Sequence, residues 1–223
     1  MTRAVYDPLP SLLRRAVRVV ALQEAATEAP PANPETPDLR EAMPTHQAYA
    51  TLVRRGLLHR IAAGYYALVP GDEVGKSWKP VLEAAAWGIA AADDGPRSVS
   101  LMGLSAAKEY GALDETLSTA VIATTRNRPA IRFTDRQATV SFIRRDPNRM
   151  RIKRHTTQLG QGWITTVEQT MLDLAQYPQL GGRPDLATAA ISGLVDQADP
   201  HVLNSLAIAH RRQGALDRIL EMI

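Results

Sequence analysis

The sequence predicts an α+β fold in two parts: an N-terminal winged helix-turn-helix, then a mixed α+β domain with a basic sheet and C-terminal helices. Three observations support this prediction. Residues 38–69 contain two capped helical segments and then two apolar runs around a glycine. Residues 99–159 carry short strand patterns, and residues 167–222 return to helical patterns. Helices and strands are therefore segregated along the chain.

The boundary between the two parts is predicted at residues 70–75, which contain Pro70, Gly71 and Gly75 and are typical of a hinge. This divides the chain into an N-terminal domain at residues 1–70 and an α+β domain at residues 71–223. With 45% hydrophobic and 22% charged residues, the composition is that of a globular protein.

Composition also excludes several classes of chemistry. The chain has no cysteine, so disulfides, thiolate nucleophiles and cysteine-ligated zinc are excluded. The uncharged run at residues 19–23 is far shorter than the roughly 20 residues of a membrane span. We therefore expect a cytoplasmic protein without a signal peptide or a membrane partner.

Before residue 38 the sequence predicts one helix and a stiff connector. Apolar periodicity over residues 11–26, with Ser11 as its cap, predicts an amphipathic helix with arginines on its polar side. Four prolines in residues 29–37 then predict an extended connector, because proline fixes its own backbone and keeps the preceding residue out of the helical region.

Two helices joined by a tight turn are predicted next. Residues 38–42 form a short helix that Pro44 ends, and Thr45 caps a second helix over residues 46–55, which ends at Gly56.

Apolar residues 57–61 and 65–69 flank the turn Ala62-Ala63-Gly64 and predict a hairpin. Helix, turn, helix and hairpin in this order are typical of a winged helix.

The second helix predicts a DNA-reading surface. Its period places Tyr49 and Leu52 on the packing side and Thr51 and Arg54 on the opposite side. Glutamine and arginine match adenine and guanine edges in the major groove, and cations on the hairpin suit phosphates. The predicted DNA-binding residues of this part are Gln47, Thr51, Arg54, Arg55, His59 and Arg60. A winged helix used only for protein contacts is the alternative.

In the larger domain, two helices are predicted before and among the strands, and four more helices follow the last strand. Helices are expected at residues 77–92, 105–110, 167–176, 185–197, 201–212 and 216–222, and strands at 99–102, 117–124, 130–134, 138–144 and 151–159.

A dense basic block covers the later strands. The sequence pI is about 9.4. Residues 126–154 hold ten arginines or lysines and only two aspartates, Asp135 and Asp146. Such density favours an anionic partner, either nucleic acid or an acidic protein. The predicted phosphate contacts of this basic sheet are Arg144, Arg145, Arg151, Lys153 and Arg154. RNA binding, with Phe133 and Phe142 as a stacking platform, is an alternative.

No catalytic signature is recognisable. The chain lacks a Walker loop, a protein-kinase glycine loop, an HExxH motif and a serine elbow, so we predict no catalytic residues and no cofactor. Gly160-Gln161-Gly162 lacks the third glycine of a nucleotide-binding loop and is predicted to be a turn. His46 and His59 have no third ligand at metal-binding spacing, so no metal site is predicted.

Two segments carry a resemblance to a known family. The run at residues 52–68, LVRRGLLHRIAAGYYAL, resembles the helix-to-wing segment of the AbiEi family, the antitoxins of AbiE-like (type IV) nucleotidyltransferase toxin-antitoxin operons. The run at residues 163–175, WITTVEQTMLDLA, resembles that family's strand-to-helix segment, with Gln169 where the family usually has arginine. In physical terms this segment needs only Thr166 as a helix cap and an apolar helix face. We therefore interpret Asp173 as structural.

The resemblance implies an antitoxin and autorepressor that binds inverted repeats in its own promoter and neutralises a cognate nucleotidyltransferase toxin. Antitoxins of this family are thought to act by repression, by direct binding or by phosphorylating the toxin. The sequence does not choose among these routes, and a winged-helix regulator without a toxin partner stays an alternative. Because no phosphate-cradling loop is present, we favour direct binding by residues 71–223.

Overall fold

The computed structural model describes residues 18–19, 46–146 and 149–222. Its first part consists of helix α1 (His46–Arg54) and a three-stranded sheet of β1 (Arg18–Val19), β2 (Leu58–Ala62) and β3 (Tyr65–Leu68) in the order β1-β3-β2. Helix α1 and the β2–β3 hairpin lie where the sequence predicts them.

The predicted helix over residues 11–26 is wrong at two positions. Arg18 and Val19 form a strand that pairs in parallel with Tyr65 and Tyr66 of β3. The free backbone edge of β3 offers these two residues the hydrogen bonds that a helix would supply, and β-branched Val19 favours the extended form. The rest of that prediction, the proline connector and the short helix at residues 38–42 lie outside the described residues, so the complete winged helix stays a prediction.

Helix α1 packs on the hairpin through its apolar side. Tyr49, Leu52 and Val53 contact a small cluster around Leu58 and Tyr66. The rings of Tyr49 and Tyr66 stack with their centroids 5.6 Å apart. The predicted packing side of the helix is confirmed at these positions.

The larger part is built on a six-stranded mixed sheet. Its strands are β4 (Val99–Leu101), β5 (Thr119–Thr124), β6 (Ile131–Arg132), β7 (Thr139–Arg144), β8 (Ile152–Thr157) and β9 (Gly160–Thr165), in the order β6-β7-β5-β4-β9-β8. The pairs β5–β7 and β4–β9 are parallel, and the other neighbours are antiparallel.

Helices precede, interrupt and follow this sheet. Helix α2 (Leu82–Asp94) precedes β4 and helix α3 (Gly103–Glu109) follows it. The chain then ends in α4 (Val167–Gln176), α5 (Asp185–Leu194), α6 (Pro200–Ala209) and α7 (Gln213–Met222), with short 3-10 turns at Gly71–Glu73 and Val195–Gln197. The predicted α+β class with C-terminal helices is confirmed. Among the described residues, no helix is both long and apolar enough to cross a membrane.

Trp87 of α2 forms the centre of the main core and explains an error in the prediction. Its side chain is fully buried. A Cβ atom on Gly162 would lie 2.5 Å from its indole ring, so only glycine fits there. Residues 160–162 are therefore the first half of strand β9 rather than the predicted turn, which lies one step earlier, at residues 158–159.

The hairpin and the larger sheet share one core. Ile61 and Ala67 belong to the same buried cluster as Trp87 and Ile164. An isolated antiparallel bridge pairs Ala62 with Phe133, and the backbone N–H of Thr134 donates to the carbonyl of Ile61 at 2.8 Å. Residues on both sides of the predicted boundary at residue 70 are thus packed together.

Candidate functional site

The outward side of α1 presents two exposed arginines. Arg54 and Arg55 are exposed at the C-terminal end of the helix. The Nη2 atom of Arg54 donates to Thr51 Oγ1 at 3.0 Å, one turn earlier. Gln47 lies in the same helix, four residues before Thr51. Of the predicted reading residues, Thr51 and Arg54 are linked on the side away from the hairpin.

On the hairpin, Arg60 is exposed, whereas His59 contacts protein. The Nε2 atom of His59 lies 2.7 Å from Asp135 Oδ2, and the imidazole meets the edge of the Trp78 ring. This pairing occupies the ring atom that would otherwise meet a phosphate. The predicted phosphate contacts of His59 and Arg60 stay predictions, with the Nε2 atom of His59 already engaged by Asp135.

The carboxylate of Asp135 is held by the side chains of Arg136 and His59. Burial acts to raise the pKa of Asp135, but hydrogen bonds from Arg136 and His59 outweigh it and hold that pKa below its ordinary value of 3.8. Arg136 also donates to the carbonyl of Pro80 at 2.7 Å. This small network joins the hairpin to the chain on both sides of α2 and stabilises their contact.

Three arginines of the basic block are paired with carboxylates of the protein. Arg128 is 7% exposed and donates to Asp93 at 2.5 Å and to Asp94 at 2.8 Å. Its guanidinium also lies over the ring of Phe142. Arg126 pairs with Asp94, and Arg136 pairs with Asp135 as described. Arg128 and Arg136 are largely covered in these pairs and are not available to a phosphate backbone, whereas the side chain of Arg126 is 60% exposed.

The remaining cations of the block do not form one cluster. Arg144 and Arg145 lie at the end of β7, whereas Lys153 and Arg154 lie on β8. Strands β5, β4 and β9 separate β7 from β8. Four strand spacings amount to roughly 19 Å. The cations of the predicted basic sheet therefore lie in separate places, because the order of the strands does not follow the order of the sequence.

Strand β8 is a sheet edge with exposed cations. Arg151, Lys153 and Arg154 are all exposed. Lys153 lies 4.6 Å from the centroid of the Tyr110 ring, and Arg154 lies 4.3 Å from that of Trp163. Resting on aromatic faces, these side chains lose part of their freedom before any partner binds. The edge strand can therefore present charge to an anion.

The predicted aromatic platform for RNA does not exist. Phe133 and Phe142 are only 6% and 9% exposed and pack in the main core. A base cannot stack on a ring that is already covered. This removes the observation on which the RNA alternative depends.

Arg144 and Arg145 line a pocket of about 600 Å³. It lies between the ends of β5 and β7, the segment before β8, helix α4 and the turn that joins α6 to α7. The lining residues are Thr125, Arg144, Arg145, Asp146, Arg149, Met150, Gln169, Asp173, His210 and Arg212. Five of these ten residues carry a cationic or imidazole side chain.

A buried carboxylate forms the pocket floor. Asp173 is 1% exposed, and its Oδ1 atom accepts a hydrogen bond from Arg212 Nη1 at 2.5 Å. Its Oδ2 atom is buried and has no hydrogen-bond partner among the described residues. Helix α4 presents this aspartate because Thr166 caps the helix start, as predicted, by accepting from the backbone N–H of Gln169.

The pocket disfavours further positive charge. Burial lowers the pKa of His210, and the nearby guanidinium groups of Arg212 and Arg149 lower it further against the opposing effect of Asp173. His210 is therefore more readily neutral than an exposed histidine, and the arginines carry the positive charge of the site.

No family model matches this chain, and no curated protein matches it significantly. A function for this chain is therefore inferred from the geometry above and from the two motifs in the sequence.

The sequence predicts only part of this pocket. Arg144 and Arg145 come from the basic block, but His210 and Arg212 lie far along the chain in a segment predicted as plain helix. The WITTVEQTMLDLA motif contains Asp173, which we interpret as structural from sequence. The fold gives it a structural contact, through Arg212, and also places it among the residues that line the pocket. Within the described part of the chain, no three histidine or carboxylate side chains could hold a metal ion together.

Proposed function

We propose that this protein is a DNA-binding autorepressor that also serves as the antitoxin of a nucleotidyltransferase toxin. One observation supports the DNA-binding part of this proposal. Helix α1 buries Tyr49, Leu52 and Val53 against the hairpin and leaves Arg54 and Arg55 exposed on its outer side. A helix held in this way by one face can enter a major groove with the other.

The roles of the exposed residues follow from their chemistry. Arg54 suits a guanine edge, and its hydrogen bond to Thr51 holds the guanidinium along the helix axis. Gln47 suits an adenine. Arg55 and Arg60, at the helix end and on the hairpin, suit phosphates and set the docking position rather than the sequence preference. Two copies on an inverted repeat would give the symmetry that operators of this kind have.

Promoter binding by single variants tests this proposal. Arg54→Ala should cost about 1 to 3 kcal/mol on the preferred site, and Arg60→Ala should weaken binding to all sequences alike. Arg183→Ala is the matched control, because it removes an exposed arginine whose only described ion-pair partner is Asp185. A footprint without protection at low salt, or equal losses for Arg54→Ala and Arg183→Ala, would contradict the proposal.

The antitoxin part is supported by the resemblance of residues 52–68 and 163–175 to the AbiEi family. We propose that the larger part of the chain neutralises the toxin by direct binding. Since the hairpin shares its core with the larger sheet, the test should keep the full chain. A double variant, Arg54→Ala with Arg60→Ala, should lose promoter binding yet still rescue growth when the toxin is expressed from an unrelated promoter.

The same experiment separates the modes of neutralisation. Direct binding requires about one antitoxin per toxin and a complex that survives gel filtration. Failure of both the wild type and the double variant to rescue growth would mean that repression is the whole function, because repression cannot act on the unrelated promoter. Rescue at substoichiometric amounts, with a mass increase of one phosphate on the toxin, would instead support phosphorylation.

A further inference from the structure

The arginine-lined pocket lies apart from the proposed DNA surface, and none of its ten lining residues belongs to α1 or the hairpin. Its volume of about 600 Å³ lies within the range of pockets that hold small molecules. It is formed by segments that are far apart in sequence, from Thr125 to Arg212. Folding therefore assembles it as one concave site.

The positive charge of the pocket favours the binding of an anion. Among the residues that the structure describes, no carboxylate pairs with Arg144, Arg145 or Arg149, while Arg212 is already paired with Asp173. The Nε atom of Arg145 is buried without a hydrogen-bond partner, and the guanidinium lies over the ring of Tyr177. Converging guanidinium groups of this kind match the oxygens of a phosphate, which accepts several charge-assisted hydrogen bonds at once.

A second, independent observation defines the other half of the ligand. Asp173 lines the pocket, and its buried Oδ2 atom accepts nothing from the described residues. A buried carboxylate oxygen without a donor is costly, and native proteins rarely leave one. A neutral or anionic ligand with a hydroxyl or amino group would supply that donor. Gln169, which is also buried at the rim, already accepts from the backbone N–H of Arg151.

We propose that this pocket binds a free nucleotide, with its phosphate on Arg144, Arg145 and Arg149 and a sugar hydroxyl donating to Asp173 Oδ2. A simple anion would satisfy the arginines but not the aspartate. A neutral nucleoside would satisfy the aspartate but not the arginines. A phosphorylated sugar has both groups, and a nucleotide is of a size that the pocket can hold.

Calorimetric titration of the full-length protein tests the assignment. The probes are 5′-AMP, 5′-GMP, ribose 5-phosphate, adenosine and inorganic phosphate. We expect both nucleotides to bind, with ribose 5-phosphate weaker, inorganic phosphate weaker still, and adenosine without detectable binding. Binding should weaken as salt rises, because the phosphate contacts are ionic.

Three variants locate the site. Arg149→Gln and Arg145→Gln should each weaken nucleotide binding about tenfold, the loss expected for one charge-assisted hydrogen bond. Asp173→Asn should abolish the advantage of nucleotides over inorganic phosphate, and its melting temperature should be measured to confirm folding. Since Arg149 is exposed, Arg149→Gln keeps the test valid if Asp173→Asn unfolds. Arg183→Gln is the matched control and should bind as the wild type does.

Several results would overturn the proposal. These are no binding of any phosphorylated probe at millimolar concentration, equal affinity for inorganic phosphate and 5′-AMP, or equal affinities of Arg149→Gln and Arg183→Gln. Displacement of 5′-AMP by duplex DNA in the Arg54→Ala variant would assign the pocket to nucleic acid instead. Because Arg54→Ala should leave nucleotide binding unchanged, failure of promoter binding and failure of nucleotide binding are distinguishable.

Discussion

At the residue scale, single contacts between residues far apart in sequence determine structure that the local sequence does not predict. Gly162 belongs to a glycine-containing run that favours a turn, yet it lies in a strand because Trp87 needs the space. Asp173 lies in an ordinary amphipathic helix, yet it combines a buried ion pair with an oxygen that has no described donor. Neither contact is visible in the local sequence, since Trp87 and Arg212 lie tens of residues away from their partners.

Gly162→Ala should destabilise the protein. The added methyl group would lie 2.5 Å from the indole of Trp87, so the strand or the ring must shift. Overpacking of this kind costs about 1 to 3 kcal/mol. Urea denaturation measures the change, with Gly71→Ala as the control, because a Cβ atom on Gly71 meets nothing within 4 Å. Equal midpoints for the two variants would contradict this account of β9.

At the element scale, capped helices are the best predicted features and sheet order is the least. Helix α4 begins and ends where the sequence predicts, because Thr166 caps it and Met171 and Leu172 pack inward. Strand positions are also close to those predicted. Their order in the sheet depends on which edges pair in the folded state, and for that reason the predicted basic sheet is divided.

Asp135→Asn should weaken the joint between the hairpin and the larger sheet. At neutral pH the loss should be about 1 to 3 kcal/mol, because the substitution removes the negative charge and one of the two oxygens that accept from Arg136 and His59. The folded-state pKa of Asp135 is lowered, so its contribution is present above about 3.8 and is lost as pH falls through the folded-state value. The difference between wild type and variant should therefore shrink below pH 3.8.

Thermal unfolding from pH 7 to pH 3 measures this difference. Asp185→Asn is the matched control, because it removes the same charge from a pair that is exposed at the surface. It should leave stability nearly unchanged at every pH. A difference for Asp135→Asn that stays constant down to pH 3 would show that the carboxylate does not carry the effect.

The exposed edge strand β8 makes a separate prediction. Replacing Arg151, Lys153 and Arg154 with glutamine should reduce the slope of log affinity for DNA against log salt by roughly 0.9 for each phosphate that the protein no longer neutralises. The single variant Arg183→Gln should leave that slope unchanged. If the triple variant also leaves it unchanged, β8 serves another partner.

At the scale of the whole molecule, the sequence predicts which helices and strands form but not how they pack together. It separates residues 1–70 from 71–223 by a hinge. In the structure, Ile61 and Ala67 are buried in the same cluster as Trp87, and Tyr65 donates to Asp93 at 2.5 Å. The pocket likewise collects residues from five separate segments. Only packing between residues that are far apart in sequence brings these groups together, and no local sequence pattern predicts it.

The shared core predicts one cooperative unfolding transition. Tryptophan fluorescence, far-ultraviolet circular dichroism and promoter binding should lose their signals at the same urea concentration, because the hairpin cannot unfold without exposing the main core. Separate midpoints for promoter binding and for fluorescence would contradict this and support the hinge.

The bridge between Ala62 and Phe133 also has a consequence for operator architecture. Because it fixes the hairpin to the larger sheet, the angle at which α1 meets DNA is set by the body of the protein rather than by a tether. Two copies on one operator would then tolerate only certain spacers between half-sites. Lengthening the spacer by about 5 base pairs, half a helical turn, should abolish paired occupancy, and about 10 should restore it.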